Sequence, residues 1–508
     1  MMAGTERALQ LGVRQRRRCL PVLAITTISL ITAACGNRHT HAEVIAAAQV
    51  GPQIVATQAV VTTPDGTVDT GAPHPGETAV PTSGSSSAVL PTTSVTGPTT
   101  AVPTVSGGGD ASTATVTQVP GSTKATTQRS APTSAAAGPQ DTTPVALCQD
   151  GSFTGQAGPP FANAQVGLAV WVKWTNAHGG LAGHPVSVDS KDDAQDNNKA
   201  LQNVQSCVQN EKAVALVGSF MPVTVDAVGT YVQKQKVPVI GGDAVTRTWF
   251  TNPFFFPQGD PSPSDAYGGV QAWKDTGKNA GAVIYCAELG DCTTTANKVR
   301  EAAGKAGIPI KGSYQVSIAN PSYTSQCSDM KSHGVQAVYI NVDGPSIQRV
   351  ARDCNAVGFH PTYTSGGLAL DANAVADDPN LDGFTVATAV FPWMLSATQA
   401  QKDFQSAMAT YAPDAPTSES AAVAWTSGQM LAQAIAKLGN AARMQPITSA
   451  LIIQGLDQIK NDDIGGLTVG KLTFTAGKPA PEHYCWSVAT LAGGKWTAPN
   501  GNASKCAS

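Results

Sequence analysis

The sequence predicts an α/β protein in which two lobes, each a doubly wound parallel sheet, follow a disordered linker. Three observations carry that expectation. From residue 144 onward, short β-branched runs alternate with longer stretches of helical spacing, the pattern of a parallel sheet with helices on both faces. The alternation occurs as two series, the second beginning near Asp265, so two similar lobes are expected. Ahead of them, residues 36–143 are Thr, Ser, Pro, Gly, Ala and Val with hardly a charge, a composition that buries too little to offset the entropy of ordering.

The chain has 508 residues, and its first 35 read as a targeting segment. A basic stretch, an apolar run from Leu20 to Ala34 and a small-residue site follow one another, as in an export signal. The run is too short to span a membrane comfortably. Its end, "TAAC", resembles a bacterial lipobox, which implies Cys35 as the lipidated first residue of the mature chain, anchored to the outer face of the cytoplasmic membrane. Thr32 stands where that motif usually has leucine, and an ordinary secreted protein cut nearby is the alternative. Arg16 to Arg18 leave the export route open. The segment 36–143 then acts as a tether, with a root-mean-square span of roughly 55 Å for a flexible coil of that length.

The folded part opens with the strand-like "PVALCQDG" and a helix "AQVGLAVWVKWTNAHGG", whose Leu168, Trp171, Val172 and Trp174 form an apolar stripe. Strand "PVSVDS", helix "NNKALQNVQSCVQNE", strand "AVALVGSF", helix "VTVDAVGTYVQKQ" and strand "VPVIGG" complete the first series. The second runs through helix "SDAYGGVQAWKDTG", strand "GAVIYC", helix "TTTANKVREAAGKAG" and strand "IKGSYQV". It continues with helix "SYTSQCSDMKSHG", strand "VQAVYINV", helix "PSIQRVARDCNAVG" and strand "PTYTSGG". The later helix 418–439, with Trp425, Met430 and Leu431 inward, reads as lobe core. Trp249, Phe254, Phe255, Phe256, Phe391 and Trp393 are expected in core and crossover packing.

Charge and cysteine usage narrow the function classes. The net charge is −3, and no Lys/Arg run remains after the signal, which argues against a nucleic-acid partner. Of ten cysteines, setting aside Cys19 and Cys35 leaves eight, an even set that suggests disulfides in an exported protein. Nearest-neighbour pairing is the economical expectation: Cys148 with Cys207, Cys286 with Cys292, Cys327 with Cys354 and Cys485 with Cys506. No clustered pair of cysteines has zinc-ligand spacing. Enzyme chemistry has no local signature, since G-x-S-x-G, HExxH and Walker A sequences are all missing and the histidines are scattered. Neither a cofactor nor a metal is expected.

Asp192, Asp193 and Asp196 raise the question of calcium, but the turn glycine and distal glutamate of an EF-hand loop are missing. Carboxylates complementing a helix start are the simpler reading. The surrounding run, "TNAHGGLAGHPVSVDSKDDAQDNNKALQNVQSCVQNEKAVALVG" (175–218), resembles the leucine/isoleucine/valine-binding (type I periplasmic) family of ABC-importer substrate-binding proteins. By element order the similarity extends over 144–508. The resemblance implies two lobes joined by three crossover segments, with the ligand in the cleft between them. One lobe would hold 144–262 and 393–463, the other 263–392 and 464–508. Each expected disulfide then falls within a single lobe.

Ligands of doubly wound sheets bind beyond the carboxyl ends of the strands. The loops there contain the candidate contacts Phe161; Ser219, Met221 and Thr224; Asp243 and Ala244; Leu289; Asn341 and Asp343; and Ser365. In amino-acid binders of the family, a serine after the third strand holds the substrate carboxylate; here Met221 or Pro222 stands near that position, flanked by Ser219 and Thr224. Asp243 offers a carboxylate to a cationic or hydroxylated ligand, or caps its own turn; Asn341 and Asp343 read equally as caps of the following helix. The family's aromatic is replaced near Leu289, and its later acidic residue is missing from "YTSGG". The expectation is a monomeric, lipid-anchored receptor that captures a small polar solute, an amino acid or related compound, and presents it to an ABC permease. A ligand sensor or cell-envelope interaction receptor of the same fold is the alternative.

Overall fold

The computed structural model describes residues 140–507 apart from 156–157, 369 and 371. The export signal, the lipidation site Cys35 and the tether as far as residue 139 lie outside them. The first sheet contains β1 (Val145–Gly151), β2 (Val186–Asp192), β3 (Ala215–Ser219), β4 (Val239–Gly242) and β5 (Phe255–Phe256). They lie in the order β2-β1-β3-β4-β5, every pair parallel. β3 and β4 are buried at every position, which is why they read as continuous apolar or small-residue runs with no alternation. The crossovers are α1 (Pro159–Ala177), α2 (Asn197–Gln209) and α3 (Val225–Gln235). Asp196 starts α2 by accepting from the N–H groups of Asn198 and Lys199 at 2.8 and 2.9 Å. Asp192 and Asp193 likewise accept from backbone N–H groups of the same loop, so the acidic run is a capping and turn device.

The second lobe begins with α4 (Ser264–Asp275) and runs through β6 (Gly281–Cys286), α5 (Gly290–Ala306), β7 (Ile310–Val316) and α6 (Thr324–Ser332). It continues as β8 (Ala337–Asn341), α7 (Gly344–Ala356), β9 (Thr362–Gly366), the short α8 (Ala372–Ala376) and β10 (Thr385–Thr388). The chain then returns to the first sheet as α9 (Gln399–Tyr411), α10 (Glu419–Lys437), α11 (Asn440–Arg443) and α12 (Ser449–Leu456). It ends in the second lobe with β11 (Cys485–Ala492), β12 (Lys495–Thr497) and β13 (Lys505–Cys506). The second sheet has the order β12-β11-β10-β9-β8-β6-β7, with β13 paired to β11. Its parallel part matches the sequence reading, but β11 joins antiparallel to β10 and forms a hairpin with β12. Gly493 and Gly494 both have positive φ, 57° and 74°, the conformation that a tight two-residue hairpin requires.

Helix α10 is the core of the first lobe. It packs against α1 and the strands β3 and β4, and Trp171 and Trp425 are both fully buried. Trp249 meets Phe255 edge-to-face at 5.1 Å, and Phe391 meets Phe404 at 5.5 Å, so these aromatics do serve as packing. The structure contains the four disulfides Cys148–Cys207, Cys286–Cys292, Cys327–Cys354 and Cys485–Cys506, each within one lobe. Cys148–Cys207 closes a loop with a sequence separation of 59, for which loop-closure entropy alone amounts to about 4 kcal/mol.

The chain passes between the lobes three times, at 257–263, 389–398 and 457–484. These passages lie side by side. Phe391 N–H donates to Leu467 O at 3.0 Å, Val390 bridges Thr468, and Gly259 abuts the Ala389 carbonyl. Among the described residues no helix is long and apolar enough to cross a membrane.

The close approach of α1 and α10 gives a test of the packing. A Cβ on Gly167 would stand 2.7 Å from Ala421 Cα, against backbone that cannot swing away. Gly167→Val should therefore destabilise the protein by about 3 kcal/mol, at the upper end of overpacking costs, read as a lowered urea midpoint.

Candidate functional site

The carboxyl ends of the strands of both sheets face one cavity of about 300 Å³. From the first lobe come the start of α1 (Pro159 to Phe161), Pro222 and Val223 after β3, and Val245 after β4. The second lobe supplies Cys286, Glu288 and Leu289 after β6, Ile318 after β7, Asn341 to Pro345 after β8, and Ser365, Gly366 and Leu368 after β9. Asp265, in the first turn of α4, reaches the cavity from beside the first crossover. The Cys286–Cys292 disulfide clamps the loop that carries Leu289.

Of the residues expected from sequence, Phe161, Leu289, Asn341, Asp343 and Ser365 border the cavity. Phe161 leans on Phe220 with ring centroids 5.6 Å apart, and Ser365 Oγ donates to Ile340 O at 2.6 Å. Ser219, Met221, Thr224, Asp243 and Ala244 are brought together in a layer behind it, all buried. Asp243 accepts from Met221 N–H at 2.5 Å and from Val245 N–H at 2.8 Å, which joins the ends of β3 and β4. Thr224 Oγ1 donates to Asp193 at 2.5 Å. These five position the loop that presents Pro222, Val223 and Val245 and do not line the cavity themselves.

Sequence reasoning noted Pro222 beside the family's carboxylate-holding position but gave no site role to Val223, Val245 or Asp265. By local pattern Asp265 is an ordinary carboxylate in a helix first turn. What distinguishes Asp265 is tertiary. It is 6% exposed, and its Oδ1 has no hydrogen-bond partner among the described residues. Glu419, which starts α10 and is also buried, accepts from Ala389 N–H at 2.6 Å through Oε1, and its Oε2 is unpartnered among the described residues. Adjacent glycines make room for the two carboxylates: a Cβ on Gly366 would collide with Asp265, and one on Gly367 with Glu419. Asp260, in the first crossover, accepts from Cys485 N–H at 2.7 Å.

Among the described residues, four acids line the cavity (Asp265, Glu288, Asp291 and Asp343), and no Lys, Arg or His does. Burial, then the neighbouring Glu419 and Asp260, hold Asp265 well above the usual carboxylate range. Burial pushes Glu419 up to about 8 against the opposing Ala389 N–H, and Asp260 to about 6 against the Cys485 N–H. Asp291 is raised by burial and by Asp226 across the cleft.

The profile of the periplasmic binding protein family matches residues 151–495. The chain belongs to that family. It is a binding protein, not an enzyme. Solved structures with the same fold include an extracellular ligand-binding receptor from Verminephrobacter eiseniae, 17% identical with a TM-score of 0.61, the match covering 70% of this chain and 99% of that one. A branched-chain amino acid ABC transporter protein from Thermus thermophilus with bound valine is 16% identical at a TM-score of 0.61, covering 71% and 96%. An ABC-transporter solute-binding protein from R. palustris in complex with benzoate is 16% identical at 0.58, covering 72% and 98%. At these identities the likeness is one of fold. No curated protein matches the chain.

The raised carboxylates set a pH dependence. A carboxyl whose folded pKa lies above its unfolded value binds its proton more tightly when folded, so its contribution is present at low pH and is lost as pH rises. Stability should therefore fall between about pH 5 and pH 8, each fully titrating group contributing up to about 1.4 kcal/mol per pH unit. In Glu419→Gln the decline should be shallower, as read from urea midpoints at each pH; an unchanged slope would contradict the assignment.

Proposed function

We propose that this binding protein is the extracytoplasmic receptor of an ABC importer, capturing a small polar solute, an amino acid or related compound, between its lobes by hinge closure. The observation that supports this reading is the position of the cavity. It lies at the carboxyl ends of the strands of both sheets, between lobes joined only by three adjacent segments. Rotation about those segments would change the cavity without breaking either sheet, and each of the four described disulfides lies within one lobe. Cys35 would carry the lipid, and residues 36–143 would give the receptor reach from the membrane to a permease.

Capture of a solute is tested by thermal shift on the full chain against amino acids, amides, amines, aromatic acids and sugars. A ligand at a hundred times its Kd adds about 2.7 kcal/mol, a shift of a few degrees for a protein of this size. One responsive chemical class is the expected result. Silence across the panel, after removal of any co-purified ligand, would contradict the proposal.

A further inference from the structure

We infer that the solute is a compact organic cation, an ammonium or amidinium head on an apolar body, whose charged head rests on Asp265 at the inner end of the cavity. The inference deepens the solute-capture reading above and rests on it. Its first support is Asp265 in the cavity wall, a buried carboxyl whose Oδ1 is unpartnered among the described residues, since polar atoms left unpaired in a protein interior are uncommon and costly. A donor on the ligand supplies the missing hydrogen bond, and a positive charge restores to the carboxylate the ionised form that burial beside Glu419 denies it.

The second support is the treatment of anions. Helix N-termini that face a cleft are ready anion sites because they present free N–H groups. At α1 that site is lost, and at α7 and α5 an acid stands beside it. The first two residues of α1 are Pro159 and Pro160, which have no N–H, and the next two N–H groups are already donated to Gly158 O. In α7 the second residue is Pro345, and the residue before the helix is the acidic Asp343. In α5 the first turn carries Asp291. Among the described residues, a ligand carboxylate would meet four acids and no cationic side chain.

The rest of the wall fits an apolar body. Pro222, Val223, Val245, Leu289, Ile318 and Leu368 contribute surface without a side-chain hydrogen-bonding group. A metal ion fits less well, because among the described residues no three His, Cys, Asp or Glu side chains at this site bring their ligand atoms together.

Three probes that share one carbon skeleton separate the possibilities: isoamylammonium, leucine and 4-methylpentanoate, titrated calorimetrically into the full chain and into Asp265→Asn. Cyclohexylammonium, phenethylammonium and agmatine widen the set of cations. Asparagine is close in shape to a protonated aspartate, so the variant should fold; a melting temperature within a few degrees of wild type confirms that it has. At least one cation is expected to bind tenfold or more tightly than both leucine and the carboxylate, and to lose at least tenfold in Asp265→Asn. Glu419→Gln, one residue further from the cavity, should lose less. Tighter binding of leucine or the carboxylate, or a cation that binds Asp265→Asn as well as wild type, would overturn the cation assignment and leave solute capture standing. No response to any cation would also overturn it, and silence across the wider thermal-shift panel as well would remove solute capture.

Discussion

The structure depends on a strip where three chain passages run side by side between the lobes, held in part by carboxylates that have little water around them. Asp260 in the first passage holds the Cys485 N–H that follows the third, and Glu419 at the start of α10 holds the Ala389 N–H of the second. A buried carboxylate is costly unless hydrogen-bonded, so each of these contacts fixes a backbone segment at one place and resists being broken singly. The Phe391 to Leu467 hydrogen bond ties the second passage to the third. The proposed closure would therefore be a rotation about this strip, with the sheets, helices and described disulfides on each side moving as bodies.

The same strip shapes the cavity chemistry. Asp265 follows the first passage by a few residues, and Gly366 and Gly367 leave space for its carboxylate and for that of Glu419. The crossover strip and the acidic end of the cavity are thus built from one group of side chains. A ligand that contacts Asp265 touches the carboxylate that feels Glu419, and Glu419 in turn holds a hinge passage. In the proposed mechanism, binding and lobe position would be linked through neighbouring groups, with no long relay between distant sites.

Much of this was legible in the sequence, for identifiable reasons. The alternation of elements appears as a change of hydrophobic period, and the Asp196 cap and the glycines after helices are local signals. Leu289, Asn341, Asp343 and Ser365 were locatable because the loops after β6, β8 and β9 leave their strands directly into the cleft. After β3 and β4 the geometry differs. Gly218 and Gly241 turn at positive φ, and Asp243 reaches across to Met221 N–H, so Ser219, Met221, Thr224 and Asp243 point into the lobe. That contact joins residues 22 apart, and no local pattern announces it. Asp265 and Glu419 were missed for a stronger version of the same reason: each resembles an ordinary helix-start acid, and only the packing of α4 and α10 against β9 and the crossovers buries them. The antiparallel β11 was hidden because strand direction is set by connections that period alone does not encode.

The central claim is that a solute draws the lobes together about this strip, and the most direct measurement is a distance across the mouth of the cleft. Thr230 on α3 and Thr294 on α5 are exposed, and the two helices approach closely enough for Asp226 to act on Asp291. Fluorophores placed there through unnatural amino acids would leave the disulfides untouched. On saturation with the solute found by the binding screens, the account predicts a shorter mean distance and a narrower distribution. An unchanged distance with the cavity demonstrably occupied would contradict it.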